Sequence, residues 1–356
     1  MVVRTEWEKG VFEMKIADMH CDTISELYKK QKMGSEETLF SNKGHVDIQK
    51  LKTGGAVVQN FALFVNKGQT EEPLEIALQM ADLYYRELEA NQEWIAPVYC
   101  YDDIEKNREA GKISALLTVE EGAVCKGELA YLRNLYRLGV RMMTLTWNYP
   151  NEIGYPALQS GSGMGVTEAL QSGTVVLPFY KRADMEHGLT ETGKEMVAEM
   201  ERIGMIVDVS HLSDAGFYDV LDCTKKPFVA SHSNARAISP WVRNLTDDMI
   251  RKLAQRGGVM GLNFCPDFLT EVSFGEPNPG TIAAITAHAK HIIRVGGVDC
   301  LGLGSDFDGI EGHGELPDYS YMPRLADALS KAGLTADVVE KIFSKNVLRV
   351  YKELLV

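Results

Sequence analysis

The sequence predicts an α/β fold, specifically a (β/α)8 TIM-like barrel, and three observations support this prediction. Short apolar, β-branched runs alternate with longer stretches of helical period along the 356 residues. Eight such apolar runs can be counted, which is the number of strands in a (β/α)8 barrel. A doubly wound open sheet is the alternative, but "DMHCDT" after the first run lacks the glycine-rich phosphate loop expected there.

The predicted strands are apolar along most of their length, as expected of a parallel sheet that helices cover on both faces. They span residues 14–20, 56–64, 112–120, 140–147, 204–211, 227–233, 257–264 and 299–306. Helical stretches cover 73–92, 127–138, 190–203, 246–256 and 280–295, and a helical tail covers 335–354. Long loops at 147–187, 265–280 and 307–322 each follow a strand, which predicts that they lie on the top face of the barrel. We predict one domain spanning 1–356.

Composition indicates which kinds of partner the protein can bind and in which cellular compartment we expect it. The formal net charge of −13 argues against a nucleic-acid partner, because phosphate binding needs basic patches. No apolar run approaches the roughly 20 residues of a membrane span, and the N-terminus lacks the apolar core of a signal peptide. The six cysteines are scattered without a CxxC pair, so we expect reduced thiols and a cytoplasmic protein.

Histidines and carboxylates stand at the carboxyl ends of the predicted strands, the end of a barrel where catalytic residues lie. They are His20 and Asp22 after the first strand, Glu120 on the third, His211 on the fifth, His232 on the sixth and Asp306 on the eighth. Each alone has a structural interpretation, as a hydrogen-bonded histidine or a helix-capping carboxylate. Their convergence on one end of the barrel has no packing rationale, and desolvating them without a cation would be costly. The remaining histidines are interpreted as structural: His45, His187, His288, His291 and His313.

The ligand types suit zinc or a similar divalent ion. Five ligands exceed the needs of one tetrahedral ion and predict two ions, with Glu120 as the shared carboxylate. Two ions about 3.5 Å apart can hold a water between them as a hydroxide nucleophile at neutral pH. Asp306 is then the predicted proton donor to the leaving group. Asp18 and Asp208, inside apolar strands, are predicted to orient the ligands, unless they face an interlayer turn.

Four further residues are candidates for substrate binding. Arg243 lies eleven residues after His232, in "WVRNL", where its guanidinium could grip a carboxylate with two hydrogen bonds. Spacing alone equally permits a surface arginine. Trp147 and Tyr149 follow the fourth strand and Asn263 lies at the end of the seventh, although aromatic residues at such positions are also common in cores.

With these motifs the chain resembles the membrane (renal) dipeptidase family of binuclear zinc peptidases, which is similar to the wider amidohydrolase-type barrels. The resemblance covers nearly the whole chain and rests on "DMHCDT", "VEEG" for V-E-G, "SH…SHS" followed by "RN", and "GSDFDG". It implies that His20 and Asp22 bind one zinc, that His211 and His232 bind the other, and that Glu120 bridges them.

The resemblance also implies the reaction, which is hydrolysis of free dipeptides with tolerance of a D-residue on the C-terminal side. Asp306 would be the acid/base and Arg243 the clamp for the substrate's C-terminal carboxylate. Family members are commonly homodimers, and we expect a soluble, bacterial-type relative. Eukaryotic members carry a histidine after "LT" on the fourth strand, where this chain has Trp147. An indole N–H donates one hydrogen bond but carries no charge, so oxyanion stabilisation would depend more on the metals.

Two other functions stay open. A related binuclear metal hydrolase could act on a small N-acyl or lactone-type substrate, although an uncharged substrate would not need Arg243. A metal-binding protein without catalysis is the second alternative. Asp306 argues against it, because holding the ions does not require that residue.

Overall fold

The computed structural model describes residues 14–158, 179–271 and 278–356. Within these residues lie nine strands: β1 (Ile16–Asp18), β2 (Ala56–Phe64), β3 (Ile95–Pro97), β4 (Ile113–Glu120), β5 (Met142–Thr144), β6 (Ile206–Asp208), β7 (Val229–Ala230), β8 (Val259–Leu262) and β9 (Leu301–Leu303). All of them pair in parallel, and every strand except β3 belongs to a ring that β9 closes by pairing with β1. The predicted (β/α)8 barrel is confirmed.

Strand β3 is an addition that the sequence pattern did not predict. It pairs with the first residues of β4, Ile95 with Ile113 and Pro97 with Ala115, and stands outside the closed ring. Three residues ending in proline offer no alternating run to recognise. Proline is tolerated there because an edge strand can spare one N–H donor.

Helices surround the barrel and close its lower end. They are α1 (Thr23–Lys32), α2 (Ile48–Gly54), α3 (Pro73–Ala90), α4 (Tyr101–Glu109), α5 (Leu129–Leu138), α6 (Glu191–Ile203), α7 (Asp214–Cys223), α8 (Asp247–Gln255), α9 (Pro266–Leu269), α10 (Ile282–Gly296), α11 (Met322–Lys331), α12 (Ala336–Glu340) and α13 (Asn346–Leu354). A π-helical turn, Lys341–Lys345, joins α12 to α13, so the predicted helical tail is nearly continuous. Among the helices of the described part, none is long and apolar enough to cross a bilayer.

Side-chain caps explain where several predicted helices begin. The hydroxyl oxygens of Thr190, Ser213, Thr246 and Thr281 each accept a hydrogen bond from a backbone N–H in the first turn of α6, α7, α8 and α10. Such caps satisfy one of the unpaired N–H groups at a helix start and typically contribute about 1 kcal/mol. Each of these four helices follows a loop from a strand, which completes the βα alternation.

The three predicted long loops follow β5, β8 and β9. In the first, 147–187, residues 159–178 lie outside the described part of the chain. The second, 265–280, contains the short helix α9, and residues 272–277 lie outside the described part. The third, 307–322, includes one 3-10 turn, Tyr319–Tyr321.

The inner face of the barrel changes from apolar to polar toward the carboxyl ends of the strands, and β4 shows this change within one strand. On β4, Leu116, Thr118 and Glu120 share one face, because side chains alternate along a strand. Leu116 packs with Met142 of β5 and Tyr351 of α13 in a buried apolar cluster. Helix α13 therefore fills the end of the barrel opposite Glu120, and the polar side chains collect at the carboxyl end.

Candidate metal centre

The carboxyl ends of the strands bring the predicted ligands together. Glu120, the last residue of β4, is in register with Thr144 of β5, which is in register with Asp208 of β6. Parallel strands of a closed barrel end on the same side, so residues far apart in sequence meet there. At most 7% of the surface of any predicted ligand is exposed: His20, Asp22, Glu120, His211 and His232.

Glu120 stands between two groups of side chains. Its Oε2 lies 3.3 Å from His20 Nε2, which lies 3.4 Å from Asp22 Oδ2. Its Oε1 lies 3.0 Å from His211 Nε2 and 3.6 Å from His232 Nε2. The two carboxylate oxygens thus face different sets of candidate ligands.

The residues present fit two divalent ions. Donor atoms of His20, Asp22 and Glu120 lie within 4.8 Å of one another, and so do those of Glu120, His211 and His232. Both ring nitrogens of His20 and Oδ1 of Asp22 are buried without a hydrogen-bond partner. A buried polar atom without a partner typically costs about 1–3 kcal/mol, and a coordinated cation would remove that cost. Imidazole nitrogens and carboxylate oxygens are the donor set that zinc accepts.

Asp306 reaches the same centre from the loop after β9. Its Oδ1 lies 3.8 Å from His20 Nε2, and it forms a third ligand-type group with His20 and His232. Asn263, predicted for substrate binding, is fully buried and donates from Nδ2 to Asp306 Oδ2 at 2.9 Å. Burial, with further contributions from Asp22 and Glu120 and against the opposing field of His20, raises the pKa of Asp306 to about 7.

The histidines differ in their electrostatic surroundings. Burial, reinforced by the Arg243 guanidinium, lowers the pKa of His211 to about 4. Burial and the field of His20 hold the pKa of His232 well below its usual range. Burial also lowers the pKa of His20. The carboxylates of Glu120 and Asp22 outweigh this effect, and the pKa of His20 is raised well above its usual value. The His211 and His232 side therefore offers neutral imidazoles, the form that binds a metal.

The two carboxylates within the strands hold ligand-bearing segments. Asp18 Oδ1 accepts hydrogen bonds from the backbone N–H groups of His20, at 3.2 Å, and Ser305, at 2.9 Å. Asp208 is fully buried beneath His232 and accepts hydrogen bonds from the neighbouring strand ends. That these carboxylates orient the metal ligands, as the sequence predicts, stays a prediction.

A cleft opens over the centre. Trp147 lines it and packs edge-on against Phe64, with ring centroids 4.9 Å apart. Tyr149 contacts Trp147 but stands outside the lining. Phe64, which ends β2, and Asn148, which follows β5, were not predicted from the sequence, although the same positional rule would have included both. Phe268 was not predicted either, and that rule would not have found it, because it lies in helix α9. The lining residues are Asp22, Glu26, Lys29, Phe64, Glu120, Trp147, Asn148, His211, Cys265, Phe268, Asp306, Asp308, Gly309 and Ile310.

Arg243 is a buried cation beside this cleft. Only 2% of it is exposed, so the alternative of a surface arginine is wrong. Its Nη1 donates to Ser233 Oγ at 3.4 Å and its Nη2 to the His232 carbonyl at 3.3 Å, while Nε has no partner. Its guanidinium carbon lies 5.3 Å from the centroid of the Phe268 ring. Within the described residues no carboxylate forms an ion pair with it, which leaves capacity for an anion.

Backbone strain and close approach mark the same place. His211 and Asp306 adopt φ values of 68° and 63°, in the left-handed region that residues other than glycine rarely occupy. Such conformations cost about 1–3 kcal/mol and persist where the surroundings enforce them. A Cβ atom at Gly309 would overlap the carboxylates of Asp22 and Asp306, so only glycine fits against them.

The other histidines form hydrogen bonds elsewhere, and within the described residues none joins a metal-capable group. His291 Nε2 lies 2.6 Å from Asp247, and His187 Nδ1 lies 3.0 Å from Asp184. His45 and His313 accept from backbone N–H groups through Nδ1. His288 Nδ1 accepts from a backbone N–H and its Nε2 contacts a carbonyl. Their geometry agrees with a structural role.

A (β/α)8 barrel that gathers buried histidines and carboxylates at the carboxyl ends of its strands has the arrangement of a metal-dependent hydrolase. The chain belongs to the membrane dipeptidase family, peptidase family M19, whose family model matches residues 8–355. This agrees with the resemblance drawn from the motifs.

Individual relatives support the same assignment. The chain is 32% identical to dipeptidase tcpJ of Claviceps purpurea over 320 residues, covering 87% of this chain and 69% of the relative. The crystal structure of the dipeptidase AC, a metallopeptidase of family M19, superposes with a TM-score of 0.82 at 25% identity, covering 97% of this chain and 99% of that one. A metallopeptidase from Rhodobacter sphaeroides, liganded with a phosphinate mimic of the dipeptide L-Ala-D-Ala, shares the fold with a TM-score of 0.79 at 24% identity and coverages of 97% and 100%. The protein is a metallodipeptidase.

Proposed function

We propose that this metallodipeptidase hydrolyses the single peptide bond of free dipeptides, L,D-dipeptides included, with two zinc ions. The observation that carries the proposal is the position of Glu120, whose two oxygens face separate ligand groups. His20 and Asp22 would hold one ion, and His211 and His232 the other. When bound, the ions would activate a water for attack and polarise the substrate carbonyl.

Asp306 is the proposed acid/base. It reaches the centre with Oδ1 while Asn263 holds Oδ2. In the metal-free centre burial raises the pKa of Asp306 to about 7, and a carboxyl at this position can accept a proton and return it, which general acid/base catalysis requires. In this role Asp306 takes a proton from the attacking water and delivers it to the leaving amine.

Arg243 is the proposed clamp for the substrate's C-terminal carboxylate. Its buried guanidinium has an unused Nε donor and stands beside His232, one side of the centre. A fork of two donors matches a carboxylate, and a buried unpaired cation discriminates against substrates that lack one. Trp147 and Phe64 line the cleft and would contact the substrate, whereas Asn263 supports Asp306 and Tyr149 supports Trp147.

The choice of dipeptides follows from the family resemblance, and a homodimer and a cytoplasmic location stay predictions. A panel of L,L- and L,D-dipeptides, incubated with the zinc-loaded enzyme, tests the proposal. We expect cleavage of free dipeptides that stops when a chelator is added and returns with zinc. Cleavage of N-acyl amino acids or lactones, with none of any free dipeptide, would favour the alternative hydrolase.

A further inference from the structure

Ser231 lies between Asp208 and His232 and contacts both. Its Oγ is 2.5 Å from Asp208 Oδ2 and 2.7 Å from His232 Nδ1. All three residues are fully buried. Ser231 follows β7, and its backbone N–H also donates to Asp208 Oδ1 at 2.8 Å, so the hydroxyl is held in place from both ends.

The surroundings of Asp208 determine which way these hydrogen bonds run. Its Oδ1 accepts from the backbone N–H groups of Ser210, at 3.0 Å, and Ser231. Its Oδ2 accepts from the hydroxyls of Thr144, at 2.6 Å, and Ser231. A carboxylate is only an acceptor, so the single hydroxyl hydrogen of Ser231 goes to Asp208. Ser210 Oγ, at 3.4 Å from Ser231 Oγ, is too far away to compete for it.

With its own hydrogen committed, Ser231 Oγ can only accept from His232. The imidazole therefore carries its hydrogen on Nδ1, and its Nε2 lone pair, which lies 3.6 Å from Glu120 Oε1, is available to coordinate an ion. We propose that Ser231 is a positioning residue. Its hydroxyl connects the Asp208 carboxylate to His232 by hydrogen bonds, fixes the tautomer of the His232 imidazole and thereby raises the affinity of that imidazole for the ion. This inference rests on the proposed function only in that His232 binds an ion.

Loss of the Ser231 hydroxyl should weaken the binding of one ion rather than of both. On the same side of the centre, His211 Nδ1 lies 3.2 Å from Asn148 Oδ1, so this second imidazole also has a fixed partner. Neither ring nitrogen of His20, on the other side, has a hydrogen-bond partner. Loss of the Ser231 hydroxyl would thus weaken the ion held by His211 and His232 and leave the other ligands untouched.

The experiment compares Ser231→Ala with Thr144→Val in the full-length chain. Thr144 donates a hydrogen bond to the same oxygen of Asp208 but forms no hydrogen bond with His232. Because valine keeps the shape of threonine, Thr144→Val is a matched control. Zinc stoichiometry and affinity are measured by competition with a chromophoric chelator. We expect Ser231→Ala to bind one of its two ions about 10–100-fold more weakly, as is typical when a partner of a metal-binding histidine is lost. We expect Thr144→Val to stay within about threefold of wild type.

A second readout does not depend on affinity. In zinc-loaded protein with 15N-labelled histidine, His232 should show a protonated Nδ1 hydrogen-bonded to oxygen, and this signal should shift in Ser231→Ala. Wild-type affinity in Ser231→Ala would overturn the inference, as would equal weakening by both substitutions, which would indicate a packing effect. Failure of the wild-type chain to bind two ions would instead contradict the proposed function.

Discussion

Asn263 donates a hydrogen bond from Nδ2 to Asp306 Oδ2 at 2.9 Å, joining the end of β8 to the loop after β9. The same amide nitrogen donates to the His232 carbonyl, and the amide oxygen accepts from the Cys265 N–H. One oxygen of Asp306 is therefore held, and the other, Oδ1, faces His20. With one oxygen fixed and the other facing the centre, the Asp306 carboxyl can accept and donate a proton without changing its position.

Replacing Asp306 with asparagine tests that role. Asparagine keeps the shape and can still accept from Asn263, but it cannot exchange a proton. We expect Asp306→Asn to retain both ions while kcat falls by roughly 10² or more, the size of a general acid/base effect. Metal analysis beside steady-state kinetics separates the outcomes. Loss of an ion would reassign Asp306 as a ligand, in keeping with the group that it forms with His20 and His232.

The clamp role of Arg243 predicts a dependence on the substrate's terminal charge. We expect kcat/KM for a dipeptide to exceed that for its C-terminal amide or for a tripeptide by at least about 10²-fold, since either would leave the buried guanidinium unpaired. Arg243→Ala should remove most of this preference, chiefly by raising KM for the free dipeptide. Equal kcat/KM values for dipeptide and amide in the wild type would exclude the clamp and favour an uncharged substrate.

Stability should depend on pH through His288, which lies far from the metal ligands in sequence. Its Nδ1 accepts from the Ala235 N–H at 3.1 Å and its Nε2 donates to the Leu269 carbonyl at 2.9 Å. Burial lowers its pKa to about 4, below the value near 6.5 of an unfolded histidine. As the pH falls, His288 is therefore protonated in the unfolded state before it is protonated in the folded state. The free energy of unfolding, which is highest above pH 6.5, declines between about pH 6.5 and pH 4.

The decline attributable to His288 should approach roughly 3 kcal/mol at pH 4, about two and a half pKa units. Denaturant unfolding of wild type and His288→Gln at pH 7, 6, 5 and 4 measures it, because contributions from all other groups cancel in the difference. The wild-type curve should fall more steeply with decreasing pH than that of the variant. Parallel curves would show that His288 does not carry this dependence.

The sequence predicted the barrel and the convergence of the ligands because both follow from short-range patterns. Apolar runs identify strands, and the residue that ends a parallel strand must lie at one rim of the barrel. This placed His20, Glu120 and His211 at the centre without knowledge of any distance. Strand β3 escaped because three residues ending in proline carry no periodic signal.

Contacts between strand ends could not be predicted in the same way. Asn263 was expected at the substrate, yet its amide holds Asp306, a partner 43 residues away. The position of Ser231 between Asp208 and His232 depends equally on the register of two strands, β6 and β7. Burial of Arg243 is a third case, because spacing fixed its distance along the chain but not the side of the loop on which it lies.

The central claim is that Glu120 bridges two ions, and metal content with activity in Glu120→Ala tests it most directly. Without the bridge each ion keeps two protein ligands, either His20 and Asp22 or His211 and His232, so both should bind more weakly. Thermal unfolding of the metal-free proteins checks that the variant folds. We predict two divalent ions per chain in the wild type, fewer in Glu120→Ala, and dipeptide hydrolysis reduced by at least about 10³-fold. A Glu120→Ala protein that retains two ions and full activity would contradict the account.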